Sequence, residues 1–224
     1  MDLSNFDWGN SNEWYIKEIT GEFVVKNLYQ RYFEVEEGDI VVDLGSSIGP
    51  FPYTIKEKQP KHVYCVEPSE EQILTLTQNL KEIPSTIIPY GLGSKDGIED
   101  FKVYGNKINT KSSPSISFDT LISKYNITSI DFLKTDCEGG EYNFFTNENI
   151  WWIKNNVKKI VGEWHLSTPK LKQQFRVFRD TYLRLFPNHE IISVDGITKI
   201  KWDLWNEHFI EYYNEVIIYI NNKK

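Results

Sequence analysis

The chain has 224 residues, a length that suits one well-cored α/β unit and is short for two. It is 40% hydrophobic and 15% aromatic, which excludes a disordered chain, and its net charge of −7 argues against a general binder of nucleic-acid backbones. Its two cysteines, Cys65 and Cys137, give neither a disulfide framework nor a metal spacing.

In chain order, the first residues lack the basic and apolar regions of a secretion signal. No apolar run approaches the ~20 residues that cross a bilayer, so a cytoplasmic protein without a membrane span is the default expectation. Trp14, Ile16, Ile19, Phe23, Val24, Leu28 and Tyr32 recur at near-helical spacing and predict a helix over 13–33. Residues 1–35 then make an N-terminal helical segment ahead of the main domain at 36–224. Ile40 to Val42 form a short β-branched run closed by the turn Asp43-Leu44-Gly45-Ser46-Ser47-Ile48-Gly49, which reads as a buried parallel strand ending at a ligand edge. The spacing departs from the dinucleotide fingerprint because Ser47 stands where a second glycine is needed. An acid ahead of a Gly-x-x-x-Gly turn suits a ligand with a cationic end, such as S-adenosylmethionine, better than a pyrophosphate.

A helix over 51–58 follows, with Pro50 and Pro52 near its start. The next strand, 63–67, ends in Glu67, roughly 20 residues after the first turn, where a carboxylate reaches ribose hydroxyls. That supports an adenosine ligand without choosing between NAD and S-adenosylmethionine. Pro68 ends the strand and Ser69 caps a helix over 71–82. Residues 86–90 read as a strand. Residues 97–104 and 113–117 read as short strands around a polar loop at 105–111, either an insertion at the ligand edge or a plain surface hairpin. A helix over 118–124, a strand over 129–136, a helix over 140–150, a strand over 157–165 and an amphipathic helix over 169–185 follow. Strands at 190–194 and 215–220 complete a doubly wound, mostly parallel α/β sheet.

Asp43, Glu67, Asp136 and the Glu163/His165 pair all fall at C-terminal ends of expected parallel strands, so they should converge on one crevice. Glu138 and Glu141 follow Asp136 closely, and the first turn of the 140–150 helix offers both a plain dipole role. Glu163 and His165 share a strand face, where they could act as a base toward a hydroxyl acceptor or bind a divalent cation with Asp136. Whether a metal is held stays open. Trp151, Trp152, Trp202 and Trp205 are better read as packing residues than as a sugar platform.

These motifs together resemble the FkbM-type family of S-adenosylmethionine-dependent methyltransferases. The resemblance rests on residues 38–49, on Val66-Glu67-Pro68-Ser69, and on Phe118-Asp119-Thr120-Leu121 leading to 131–141; it covers about 13–165. The family pattern carries alanine and asparagine at the places of Ser46 and Ser47, and alanine at that of Gly140. The resemblance implies a Rossmann-like, class I methyltransferase sheet of seven strands whose last strand, 215–220, is antiparallel. It implies O-methylation, often of sugar or polyketide hydroxyls, with a small-molecule or glycan acceptor. On that reading Asp43, Gly45, Ser46, Ser47 and Gly49 hold the methionine end of the cofactor. Glu67 holds its ribose, Pro68 and Ser69 belong to the same cofactor-binding set, and Asp136 serves cofactor and acceptor alike. Asp136, Glu138, Glu163 and His165 line the acceptor as catalytic candidates. A nitrogen, protein or RNA acceptor, or a non-catalytic binding domain on the same fold, stands as the alternative.

Overall fold

A computed structural model describes residues 3–103, 109–200 and 204–223. The core of the fold is a seven-stranded sheet. Its strands are β1 (Ile40–Leu44), β2 (His62–Val66), β3 (Ser85–Ile88), β7 (Ile130–Thr135), β8 (Val157–His165), β9 (His189–Ser193) and β10 (Glu215–Asn221), in the spatial order β3-β2-β1-β7-β8-β10-β9. The first five are parallel, and β10 runs antiparallel between β8 and β9. This is the mixed sheet with an antiparallel last strand that the motifs imply.

The central strands are apolar on both faces because both faces are covered. Along β1, Val41 packs with Phe51 and Phe132 on one side, while Val42 and Leu44 pack with Leu133 and Ile160 on the other. The first side carries α1 (Glu13–Thr20), α2 (Pro50–Thr54) and α3 (Glu70–Asn79); the second carries α4 (Phe118–Lys124), α5 (Ile150–Asn156) and α6 (Pro169–Val177). A last short helix, α7 (Glu207–Tyr212), packs on α6, with Phe175 stacked on Phe209. The strands β4 (Gly91–Leu92), β5 (Gly97–Val103) and β6 (Asn109–Ile116) form a separate small sheet beside the cofactor edge, in the order β4-β6-β5. The loop at 104–108 and Trp202 lie outside the described residues.

Two expected helices are corrected. The 13–33 helix breaks: α1 passes into a wide turn at Gly21–Val25, Asn27 takes a left-handed conformation (φ 50°), and a short tight turn follows at Leu28–Gln30. Of the expected apolar set, Ile19, Phe23 and Leu28 reach the core, Trp14 is exposed, and Tyr15 takes the buried place beside it. The 140–150 helix is absent, and only a tight turn forms at Glu141–Asn143 before α5. Glu141 turns back to accept the backbone N–H groups of Cys137 and Gly139, bonds that compete with helix formation. The 169–185 segment is continuous but changes pitch: α6, capped by the Thr168 hydroxyl, runs into a wide turn at Phe178–Tyr182 and a tight one at Leu183–Leu185.

Candidate active site

Where β1 ends, the chain turns sharply at Gly45 (φ 78°), and a Cβ placed there would lie 1.9 Å from the Asp136 carbonyl oxygen. Only glycine permits this contact between the tips of β1 and β7. Gly45 and Ser46 donate their N–H groups to the Val66 carbonyl, each at 3.0 Å, which ties the turn to the tip of β2. Ser47 takes a left-handed conformation (φ 51°) that aims its N–H at Glu67 Oε2, 2.8 Å away. Ser69 donates its N–H to Glu67 Oε1 at 2.9 Å. Glu67 is 4% exposed at the cavity wall. Burial pushes its carboxyl up to about 7, against the two backbone bonds that favour the anion.

Asp43 sits elsewhere than the sequence suggests. Its side chain is fully buried, and Lys134, opposite it in the β1/β7 register, approaches its Oδ1 at 3.2 Å. Lys134 also donates to the Gly45 carbonyl at 2.8 Å. Burial disfavours the ammonium, but Asp43 and Asp136 outweigh it and hold Lys134 protonated, above the ordinary lysine range. Asp43 therefore braces the turn from behind, through Lys134. Ser46, whose hydroxyl donates to the Asp43 carbonyl, is also behind the surface, as are Gly49 and Ser69. Gly45, Ser47, Glu67, Pro68 and Asp136 face the cavity.

That cavity has a volume of about 370 Å³, within the range of small-molecule sites. One wall comes from α1 and the turn after it, through Trp14, Tyr15 and Glu22. The Tyr15 hydroxyl bonds the Ser47 hydroxyl, which fastens this wall to the cofactor turn. The small sheet contributes Leu92, Phe101 and Lys102, so the hairpin does stand at the ligand edge. Among the described residues, seven carboxyl groups line the cavity against two lysines. Burial, and then Asp136, push Glu22 up to about 8. Asp136, held by a 3.0 Å bond from the Tyr29 hydroxyl, is also raised, chiefly by burial.

The tip of β8 carries the remaining candidates. His165 is buried just beneath the cavity surface, with Nδ1 2.8 Å from Glu141 Oε1. The same oxygen accepts the N–H of Cys137 at 3.0 Å and of Gly139 at 3.1 Å. His165 Nε2 faces Glu138 Oε2 at 3.5 Å and Glu163 Oε1 at 3.7 Å, and both glutamates line the cavity. Burial opposes the imidazolium, but Glu141 and Glu138 outweigh it and raise the His165 pKa well above the ordinary value. Glu163 is likewise pushed well up, by burial and then by Asp136.

The structure thus brings Asp136, Glu138, Glu163 and His165 to one end of the cavity. Two residues outside the sequence-derived set join them. Glu141 orients the imidazole, and Glu215 lines the cavity from the start of β10, paired in register with His165. The metal set expected as Asp136, Glu163 and His165 divides into two groups whose ligand atoms lie within 4.8 Å of one another: Asp136, Glu141 and His165, and Glu163, His165 and Glu215. Trp151 is largely exposed, Trp152 packs edge-on to Phe118, and Trp205 lies against the Arg184 guanidinium; none lines the cavity. No helix among the described residues is long and apolar enough to cross a membrane.

The chain is 32% identical over 139 residues to the hexuronic acid methyltransferase AglP of Haloferax volcanii, a match over 57% of this chain and 56% of that protein. The chain therefore spans about half the length of this curated relative. Among solved structures, an rRNA methylase from Streptococcus thermophilus matches over 96% of this chain and 98% of its own, with 8% identity and a TM-score of 0.50. Aeropyrum pernix fibrillarin, solved with natively bound S-adenosyl-L-methionine, matches over 87% and 71%, with 11% identity and a TM-score of 0.50. Those two likenesses concern the fold alone. The sequence model of the methyltransferase FkbM domain matches residues 28–189, most of the chain, and so this protein belongs to the FkbM family of S-adenosylmethionine-dependent methyltransferases.

Proposed function

We propose that this protein transfers a methyl group from S-adenosylmethionine to a hydroxyl of a sugar-type acceptor. One observation carries the reading: a single cavity holds a buried carboxyl, Glu67, clamped by the cofactor turn, and the acid–histidine cluster at the tips of β7 and β8. The residues present fit the cofactor. The sharp turn at Gly45 brings backbone to the cavity wall, Glu67 offers acceptor oxygens to ribose hydroxyls, and the acidic lining suits a cation. When bound, S-adenosylmethionine supplies an electrophilic methyl on a sulfonium.

The chain's own part is to position and to take a proton. Glu138, on the cavity wall, is placed to accept the proton that an acceptor hydroxyl loses as its oxygen attacks. His165 lies behind Glu138 and Glu163, with Glu141 fixing its ring, and its positive charge favours the ionised form of the carboxyls beside it. Most of the acceleration would come from holding hydroxyl and methyl in contact inside the cavity. The sugar acceptor follows from the Haloferax volcanii relative, named for hexuronic acids, together with the family.

Titration with S-adenosylhomocysteine, followed by turnover on uronic-acid and neutral glycosides, tests this. Micromolar binding is expected, with turnover cut by about 100-fold in Glu138→Gln, the usual worth of a positioned base. Absence of S-adenosylhomocysteine binding by the wild type refutes the reading.

A further inference from the structure

We infer that Glu163, His165 and Glu215 form a divalent-cation site at the acceptor end of the cavity. The sheet itself assembles the set. Antiparallel pairing puts Glu215 of β10 directly opposite His165 of β8, and Glu163 lies two residues back on the same face. One donor atom from each residue lies within 4.8 Å of the others. Donors bound to one ion at ~2.1 Å are separated by about 3 to 4.2 Å, so small side-chain adjustments close the set around a cation.

Two further observations point to a ligand. Glu163 is 8% exposed and faces the cavity, yet it makes no hydrogen bond among the described residues, and its ion-pair contact with His165 Nε2 is 3.7 Å long. Kept ionised, a carboxylate this buried calls for a donor or a metal. The His165 ring is also set as metal-bound imidazoles are: Nδ1 is tied to a carboxylate that is itself held by two backbone N–H groups, which presents Nε2 outward. One imidazole with two carboxylates favours an ion that accepts both donor types, and Mn²⁺ is the simplest choice.

The site's use rests on the methyl-transfer reading. A cation at this wall offsets its carboxylates, takes an oxygen of the acceptor as ligand, and makes a coordinated hydroxyl a stronger acid. Its proton passes to Glu138, which the cation does not need. An acid-lined cavity could then accept a uronic acid.

The test uses metal-stripped full-length protein and Mn²⁺ alone, with binding read from loss of the free-ion paramagnetic resonance signal. S-adenosylhomocysteine is titrated separately on the same samples. The expected result is saturable binding of a single Mn²⁺ in the micromolar range, weakened about tenfold or more in Glu163→Gln and in Glu215→Gln. Glu215 is only half-buried at a strand start, so its variant decides the matter if Glu163→Gln fails to fold. No saturable Mn²⁺ binding by the wild type, or equal binding by folded Glu215→Gln, overturns the inference. Mn²⁺ binding without S-adenosylhomocysteine binding would remove the methyl-transfer reading and leave the metal site standing.

Discussion

Asparagine at position 43 isolates what the buried ion pair contributes. Asp43 is 0% and Lys134 4% exposed at the side chain, with 3.2 Å between charged atoms. At that distance the attraction is about 5 kcal/mol with an effective dielectric constant of ~20. Asp43→Asn keeps the shape and removes the charge, leaving an ammonium sealed in the sheet. Breaking one side of such a pair costs roughly 3–5 kcal/mol. Lys134 keeps its bond to the Gly45 carbonyl and its attraction to Asp136, so the lower end, about 3 kcal/mol, is expected. Urea unfolding followed by circular dichroism reads this as a midpoint lower by about 1 M, given a slope near 3 kcal/mol per molar. The double variant Asp43→Leu with Lys134→Met should recover much of the loss, because an apolar pair needs no desolvation. A loss below about 1 kcal/mol refutes the bracing role. So does abolished S-adenosylhomocysteine binding at unchanged stability, which would return Asp43 to direct contact with the cofactor.

Glu67 should give a pH signature in two assays. Its folded carboxyl titrates near 7 against 4.5 in the unfolded chain. The native state therefore holds a proton that the unfolded state releases between those values, and stability falls as pH rises through that window. The fall is about 3 kcal/mol and is absent in Glu67→Gln. Binding of S-adenosylhomocysteine, which needs the ionised carboxylate toward the ribose, should strengthen from pH 6 to 8 by calorimetry; a flat profile contradicts the ribose role. Tyr15→Phe removes the hydroxyl contact between α1 and Ser47 and should weaken that affinity by about fivefold, for roughly 1 kcal/mol, with little change in stability. Unchanged affinity would show that this fastening is dispensable.

The sequence carries those parts of the site that are local. A β-branched run, a glycine turn and a terminal acid are contiguous signals, so the tips of β1, β2, β7 and β8 are readable, along with Glu67, Asp136, Glu163 and His165. Asp43 is misread for a non-local reason: its environment is set by Lys134 across the β1/β7 pairing. Glu141 is obscured because charge and spacing suggest a helix that its own side chain prevents. Glu215 escapes because strand-tip reasoning counts C-terminal ends, whereas the reversed β10 brings its first residue to that edge. An expected antiparallel last strand is the signal that could have found it.

The cavity is also drawn from more than one part of the chain. The segment that matches the family, 28–189, supplies Glu67, Asp136, Glu163 and His165, while Trp14, Tyr15, Glu22 and Glu215 come from the flanks on either side of it. The walls of one cavity are thus gathered from the matched segment and from both of its flanks, and the C-terminal flank brings its share on β10, a strand inside the main sheet.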